Sequence, residues 1–257
     1  MNYGFIGFGN LSNAVYQGLK EHPDLSFAYF SRHKKEMDIP FFDDMGSLVS
    51  FADVIWLGIK PQDLAEILDQ LRTFDLTGKA IVSPVAGKSI AFIESYIGGG
   101  TTIVRIMPNL AIAYKKSVTS FATNHPEDKA ASDIYLRLTK LGKAVELPES
   151  DFDLFTSVFG SGPAFILTFI QIFKDKMREF NLPGELSDEL LLMLAQGTVS
   201  YFSENQKQYS IEQLIRNITS KGGTTQAGLD YFSEHCLGLL FEGVLEAAKN
   251  RSVEMRG

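Results

Sequence analysis

Ser220-Lys221-Gly222-Gly223-Thr224-Thr225 lies between two helical patterns and cannot itself be a helix interior. Paired glycines cost about 1 kcal/mol each there. The same residues make a good helix entrance, where free backbone N–H groups and hydroxyls can grip an anion. A second glycine turn opens the chain, with Gly7-x-Gly9-x-x-Ser12 following an apolar run and preceding a helical pattern. A tight turn at Gly7 and no side chain at Gly9 would let a pyrophosphate approach the backbone of Phe8, Gly9, Asn10 and Leu11 and the positive helix end. Ser12 stands where such turns often carry a third glycine, a position that needs a small residue for helix–strand packing.

The end of the second apolar run bears on which dinucleotide fits. An NAD site usually carries an acidic residue about 20 positions beyond the glycines, to accept from the ribose 2′-hydroxyl. Here the segment reads Ser31-Arg32-His33-Lys34-Lys35. A hydroxyl beside a cationic cluster suits a 2′-phosphate through charge-assisted hydrogen bonds, so NADP(H) is preferred, with NAD(H) as the alternative. Three later loops end strands at the same edge of the expected sheet: Gly58-Ile59-Lys60-Pro61-Gln62-Asp63, Pro84-Val85-Ala86-Gly87-Lys88-Ser89-Ile90 and Arg105-Ile106-Met107-Pro108-Asn109-Leu110-Ala111. They would cover the nicotinamide end, since ligands lie at the carboxyl edge in open α/β folds. Neither a Ser–His–Asp arrangement nor a catalytic carboxylate pair is evident, and the four histidines are scattered. The single cysteine, Cys236, excludes an intrachain disulfide and a cysteine-rich metal site, and no metal is expected.

The elements that must hold these residues divide the chain in two. Residues 1–150 alternate apolar runs with helical patterns, as in Tyr3–Gly7, Asp53–Ile59, Lys79–Val85, Thr101–Pro108 and Ser117–Thr123. Near-continuous apolar strands separated by helices predict an α/β Rossmann domain with a mostly parallel sheet. Residues 151–257 show no convincing strand, and their helical patterns run over 151–159, 164–181, 185–205, 210–219 and 225–256, with a break near Ser233–His235. Their apolar faces are broad, which predicts an all-α domain packed in a bundle or against another subunit.

The net charge of −7 argues against nucleic acid as the main partner. The reading also finds no uncharged apolar run of the ~18 residues a membrane helix needs, and no targeting leader. A cytoplasmic protein without a membrane partner is the expectation.

The segments GFIGFGNLSNA, LGIKPQ, VAGKSI, RIMPN, FGSGPAF and SKGGTTQAGL occur in the order and at roughly the spacing found in pyrroline-5-carboxylate reductases. The chain resembles that family from Tyr3 to about Lys249. The resemblance implies reduction of 1-pyrroline-5-carboxylate to L-proline with NAD(P)H, the last step of proline biosynthesis. It also implies a homodimer interlocked through C-terminal helices, with larger rings of dimers in many members. Ser220, Gly222, Gly223 and Thr224, together with Asn109, would then hold the substrate carboxylate and ring. Thr225 would direct its hydroxyl at the ring nitrogen and assist the proton that accompanies hydride transfer. This sequence departs from the family at Lys221, where proline is usual, at Phe165, where tyrosine is usual, and at Leu110-Ala111, where Thr-Pro is usual.

Three other readings use the same architecture. A β-hydroxyacid dehydrogenase needs a lysine followed four residues later by asparagine, but Lys174 is followed by Arg178 and Lys176 by Phe180. A reductase of a different imine, or a competence-type regulator that binds NADP(H) without turnover, would share the glycine turn. The regulator could tolerate loss at Thr225, and that residue is present.

Overall fold

The computed structural model describes residues 1–256. The apolar runs form β1 (Asn2–Ile6), β2 (Ser26–Phe30), β3 (Val54–Leu57), β4 (Ala80–Ser83), β5 (Thr102–Met107), β6 (Ser117–Thr123) and β7 (Gly142–Glu146). Between them lie α1 (Asn10–Leu19), α2 (Met45–Phe51), α3 (Leu64–Leu71), α4 (Ile90–Ile97) and α5 (Lys129–Lys140). One sheet takes the order β2-β1-β3-β4-β5-β6-β7. Every neighbouring pair is parallel except β5–β6, with Arg105 opposite Ala122. Both faces are covered. Tyr3, Phe5, Trp56 and Val104 belong to the core layer that includes α1 and α5, while Ile55, Leu57 and Ile81 pack with α2, α3 and α4. Burial on both sides is why these strands read as unbroken apolar runs.

Strand β7 was absent from the sequence expectation. Gly-Lys-Ala-Val-Glu is short and charged, as edge strands are, so it carries little apolar signal. Helices α2 and α4 were also missed, although both carry side-chain caps: Asp44 accepts from the Ser47 N–H at 2.8 Å and Ser89 from the Phe92 N–H at 3.0 Å.

The sheet unit reaches past residue 150. It runs to Ser161 and takes back the chain from Ala247 onward. Helix α6 (Phe152–Phe155) supplies Phe152 and Phe155 to a buried cluster with Met107, and a π-helical turn over Thr156–Gly160 follows it. The buried Asp153 carboxylate accepts from Ser252 Oγ at 2.6 Å and from the Arg256 guanidinium. Arg105 from β5 is 5% exposed, with its guanidinium 4.6 Å from the Phe152 ring centre and 2.6 Å from Glu149 Oε1. The same Glu149 oxygen accepts from the Ile90 N–H at 3.0 Å. Glu149→Gln keeps an acceptor but leaves a buried cation without its counter-charge, so the variant is expected to lose about 2 kcal/mol. A fall in melting temperature of roughly 4–8 °C would register it.

The second unit, Gly162–Glu246, is helical. It contains α7 (Gly162–Met177), α8 (Gly184–Asn205), α9 (Ile211–Ile218), α10 (Thr224–Glu234) and the start of α11 (Leu237–Glu254). The break between the last two falls at Cys236, whose φ is +53°, close to the expected Ser233–His235. Among the described residues of this unit only Leu191 and Leu214 are buried apolar side chains. Ile166, Leu167, Met193, Leu239 and Leu240 are all more than 60% exposed in the single chain. An uncovered apolar face this large marks an interaction surface.

One expectation needs correction here. Residues 154–173 contain no charged side chain, and Glu149–Phe180 is apolar and long enough by composition to cross a membrane, with a window of mean hydropathy 1.4. Gly160-Ser161-Gly162-Pro163 interrupts the apolar pattern of this run and masks its length in the sequence.

Candidate functional site

In the sheet unit the chain turns back at β1: β2 lies on one side of it and β3 on the other. Ligands of open α/β sheets occupy such switch points, beyond the carboxyl ends of the strands. A cleft of about 670 Å³ opens there. Gly7, Phe8, Gly9, Asn10, Leu11, Ser31, Arg32, Ile59 and Lys60, all expected from the sequence, line it.

The two glycines of the opening turn serve different ends. Gly7 has φ +82°, and a Cβ on it would overlap the Gly58 carbonyl oxygen. Gly9 has ordinary extended backbone and open space where a Cβ would be. It caps α1 with no side-chain acceptor, which leaves the first-turn N–H groups facing the cleft mouth. A phosphate fits that combination of free donors, positive helix end and empty volume. Ser12 explains its departure from glycine: its buried hydroxyl donates to the Gly7 carbonyl at 3.0 Å and ties the helix to the turn. Gly58 leaves the room for it, since a Cβ there would overlap Ser12 Oγ.

Across the cleft, Ser31 Oγ donates to the His33 carbonyl at 2.6 Å, which fixes the turn after β2. Arg32 reaches Asp63, with Nη2 and Oδ2 3.2 Å apart. Lys35 lines the cleft and its N–H donates to the Tyr29 hydroxyl at 2.8 Å. Gly58, Gln62, Asp63 and Pro84, from the strand-end loops expected at this edge, also line it, as does Ile67 of α3, which the sequence did not single out.

The other expected residues sit elsewhere in this unit. Pro61 begins the 3-10 turn that leads into α3. Ala86 packs on the Met107, Phe152 and Phe155 cluster. Pro108 follows β5 directly. Asn109 is committed to structure: its Oδ1 accepts from the Ala111 N–H at 3.0 Å and its Nδ2 donates to the Phe159 carbonyl at 2.9 Å. Leu110-Ala111 begin the 3-10 turn that Asn109 caps.

The second glycine segment belongs to the helical unit. Helix α9 stops at Ile218, and the Gly223 N–H closes a turn on the Ser220 carbonyl at 3.0 Å. Gly222 has φ +72°, which an L side chain rarely adopts. Gly223 then starts α10 without a side-chain cap, and a Cβ on it would overlap Ser220 Oγ. Neither Thr224 nor Thr225 uses its hydroxyl in a hydrogen bond among the described residues. Uncapped N–H groups and free hydroxyls together are a donor set that suits an anion. Phe165 packs edge-on against Phe241, with ring centres 6.2 Å apart, and makes no use of the hydroxyl a tyrosine would add. Lys174 of α7 pairs with Asp188 of α8 at 2.5 Å, and Lys176 with Glu179 just beyond α7 at 2.6 Å, so both are engaged in ion pairs.

A family model described as "Pyrroline-5-carboxylate reductase dimerisation" matches residues 149–255. The pyrroline-5-carboxylate reductase of Staphylococcus saprophyticus is 32% identical to this chain and spans 98% of it and 96% of its own length. Among solved structures, Plasmodium falciparum pyrroline carboxylate reductase with NADP bound superimposes with a TM-score of 0.93 at 24% identity, covering 100% of this chain and 98% of that one. The 1-pyrroline-5-carboxylate reductase from Streptococcus pyogenes gives a TM-score of 0.88 at 25% identity, covering 99% and 98%.

Proposed function

The chain belongs to the pyrroline-5-carboxylate reductase family, and on that premise we propose that it reduces 1-pyrroline-5-carboxylate to L-proline with NADPH. The observation that carries the reading is the Ser220–Thr225 turn, an uncapped helix entrance with spare hydroxyls, in a chain whose other uncapped glycine entrance opens onto a nucleotide-sized cleft.

Each residue then has a task. The backbone at Phe8, Gly9, Asn10 and Leu11 binds the pyrophosphate, and Ser31 and Arg32 meet the 2′-phosphate. Ile59, Lys60, Pro61, Ala86, Met107 and Pro108 border the nicotinamide. The coenzyme supplies a hydride to the C=N carbon. Gly222 and Gly223 present N–H groups to the substrate carboxylate, with Ser220 and Thr224 adding hydroxyl donors. Asn109 anchors the loop after β5 on the substrate side through its two side-chain bonds. Thr225 holds the proton at the ring nitrogen. Orientation and exclusion of water suffice for this chemistry, because a protonated imine is already electrophilic. That is why no nucleophile or paired carboxylate is required.

The apolar faces left open in the helical unit are those a homo-oligomer covers, and the dimerisation family model spans them. A homodimer through the C-terminal helices, with dimers joined into a larger ring, is the assembly this reading takes. A reduced coenzyme and the single, exposed Cys236 support a cytoplasmic location.

The direct test follows loss of NADPH absorbance with racemic 1-pyrroline-5-carboxylate and assays proline. Proline formed in step with NADPH oxidised is the expected result. Tight NADPH binding without proline would move the reading to another imine or to a regulator. Arg32→Glu is expected to shift the NADPH-to-NADH ratio of kcat/KM at least about tenfold towards NADH, the value of one charge-assisted hydrogen bond. An unchanged ratio would remove the 2′-phosphate from Arg32.

A further inference from the structure

Arg32 is not free to wait for a phosphate. Its guanidinium lies 3.2 Å from the Asp63 carboxylate, which sits just before α3. Arg32 follows β2 and Asp63 follows β3, and these strands flank β1, whose glycine turn runs between them. The ion pair therefore crosses the mouth of the cleft. Asp63 closes the 3-10 turn that Lys60 caps, so its carboxylate is not needed as a helix cap, and it reaches Arg32 instead.

We propose that Asp63 sets the coenzyme selectivity of this cleft, as the counter-ion that holds Arg32 until a 2′-phosphate displaces it and as the acceptor for the adenosine ribose when the coenzyme carries no such phosphate. The proposal rests on the reading of Ser31–Arg32 as the 2′-phosphate position. A carboxylate and a phosphate compete for the same planar fork of N–H donors, so each phosphate bound must displace Asp63 from Arg32. Once displaced, Asp63 is a like charge beside the phosphate and weakens its binding. Towards a free ribose the sign reverses, since an acidic acceptor is what NAD sites use. The exchange is easy because Arg32 is 77% exposed at its side chain and such pairs hold weakly. Selectivity is thus a balance between two side chains, and the chain keeps NADH within reach although its basic cluster favours NADPH.

Calorimetric dissociation constants for NADP+, NAD+, 2′,5′-ADP and 5′-AMP, measured on the wild type, Asp63→Asn and Arg32→Gln, test this without reliance on turnover. Asp63→Asn is expected to tighten NADP+ and 2′,5′-ADP by about threefold to tenfold and to weaken NAD+ by about threefold. The gain should shrink at about 0.5 M salt, where exposed charges are screened. If Arg32→Gln weakens NADP+ but Asp63→Asn leaves the NADP+ to NAD+ ratio unchanged, the role of Asp63 is overturned and the phosphate reading stands. If Arg32→Gln leaves both phosphorylated ligands unaffected, the phosphate reading fails and takes this proposal with it.

Discussion

Thr225→Ala is expected to lower kcat about 100-fold while leaving the dissociation constant for NADPH within about twofold, the pattern of a lost proton-transfer partner. Thr225 is the second residue of α10, two positions after the Gly223 that starts the helix and within its first turn. Helix propensity does not explain a threonine there, since alanine is the better helix former. Its hydroxyl has no hydrogen-bond partner among the described residues, so its removal breaks nothing inside the chain. A structural role would lower stability and both kinetic constants together. Thr225→Ser keeps the hydroxyl and is expected to restore most of the rate. Equal losses of kcat and NADPH affinity in Thr225→Ala, unrelieved by serine, would assign the residue to folding instead.

The second large effect separates the two glycines of the opening turn. Gly7→Ala is expected to cost about 4 kcal/mol, combining a strained positive φ with backbone overlap. In the structure the new Cβ would meet the Gly58 carbonyl, and β1 and β3 are hydrogen-bonded neighbours that cannot simply part. A melting temperature lower by roughly 10 °C, with NADPH binding lost, is the expected measurement. Gly9→Ala should behave differently, because its Cβ enters open space at an ordinary φ. Stability should change by less than about 0.5 kcal/mol, while NADPH binding weakens because the methyl group occupies the pyrophosphate approach. If both variants unfold alike, Gly9 is structural and the cleft has been misread.

Six of the seven strands, the turn at Gly7 and Gly9, and the helical second half were legible in the residues alone. Strands buried on both faces leave unbroken apolar runs, and a glycine turn between strand and helix has few other uses. The break before α11 was visible because Ser233–His235 interrupts the helical pattern, although the positive φ itself falls at Cys236. Strand direction was not visible: β5 and β6 read like their neighbours, yet they pair antiparallel, since pairing partners leave no local trace. The edge strand β7 and the short capped helices were hidden for want of a long periodic pattern. Only the tertiary structure brought Asp63 to Arg32, because that meeting depends on β1 lying between β2 and β3. It also gave residues 151–161 and the chain's end to the sheet unit, through Phe152, Phe155 and the buried Asp153. Local chemistry was written in the residues themselves, whereas contacts between distant segments exist only once the chain has closed on itself.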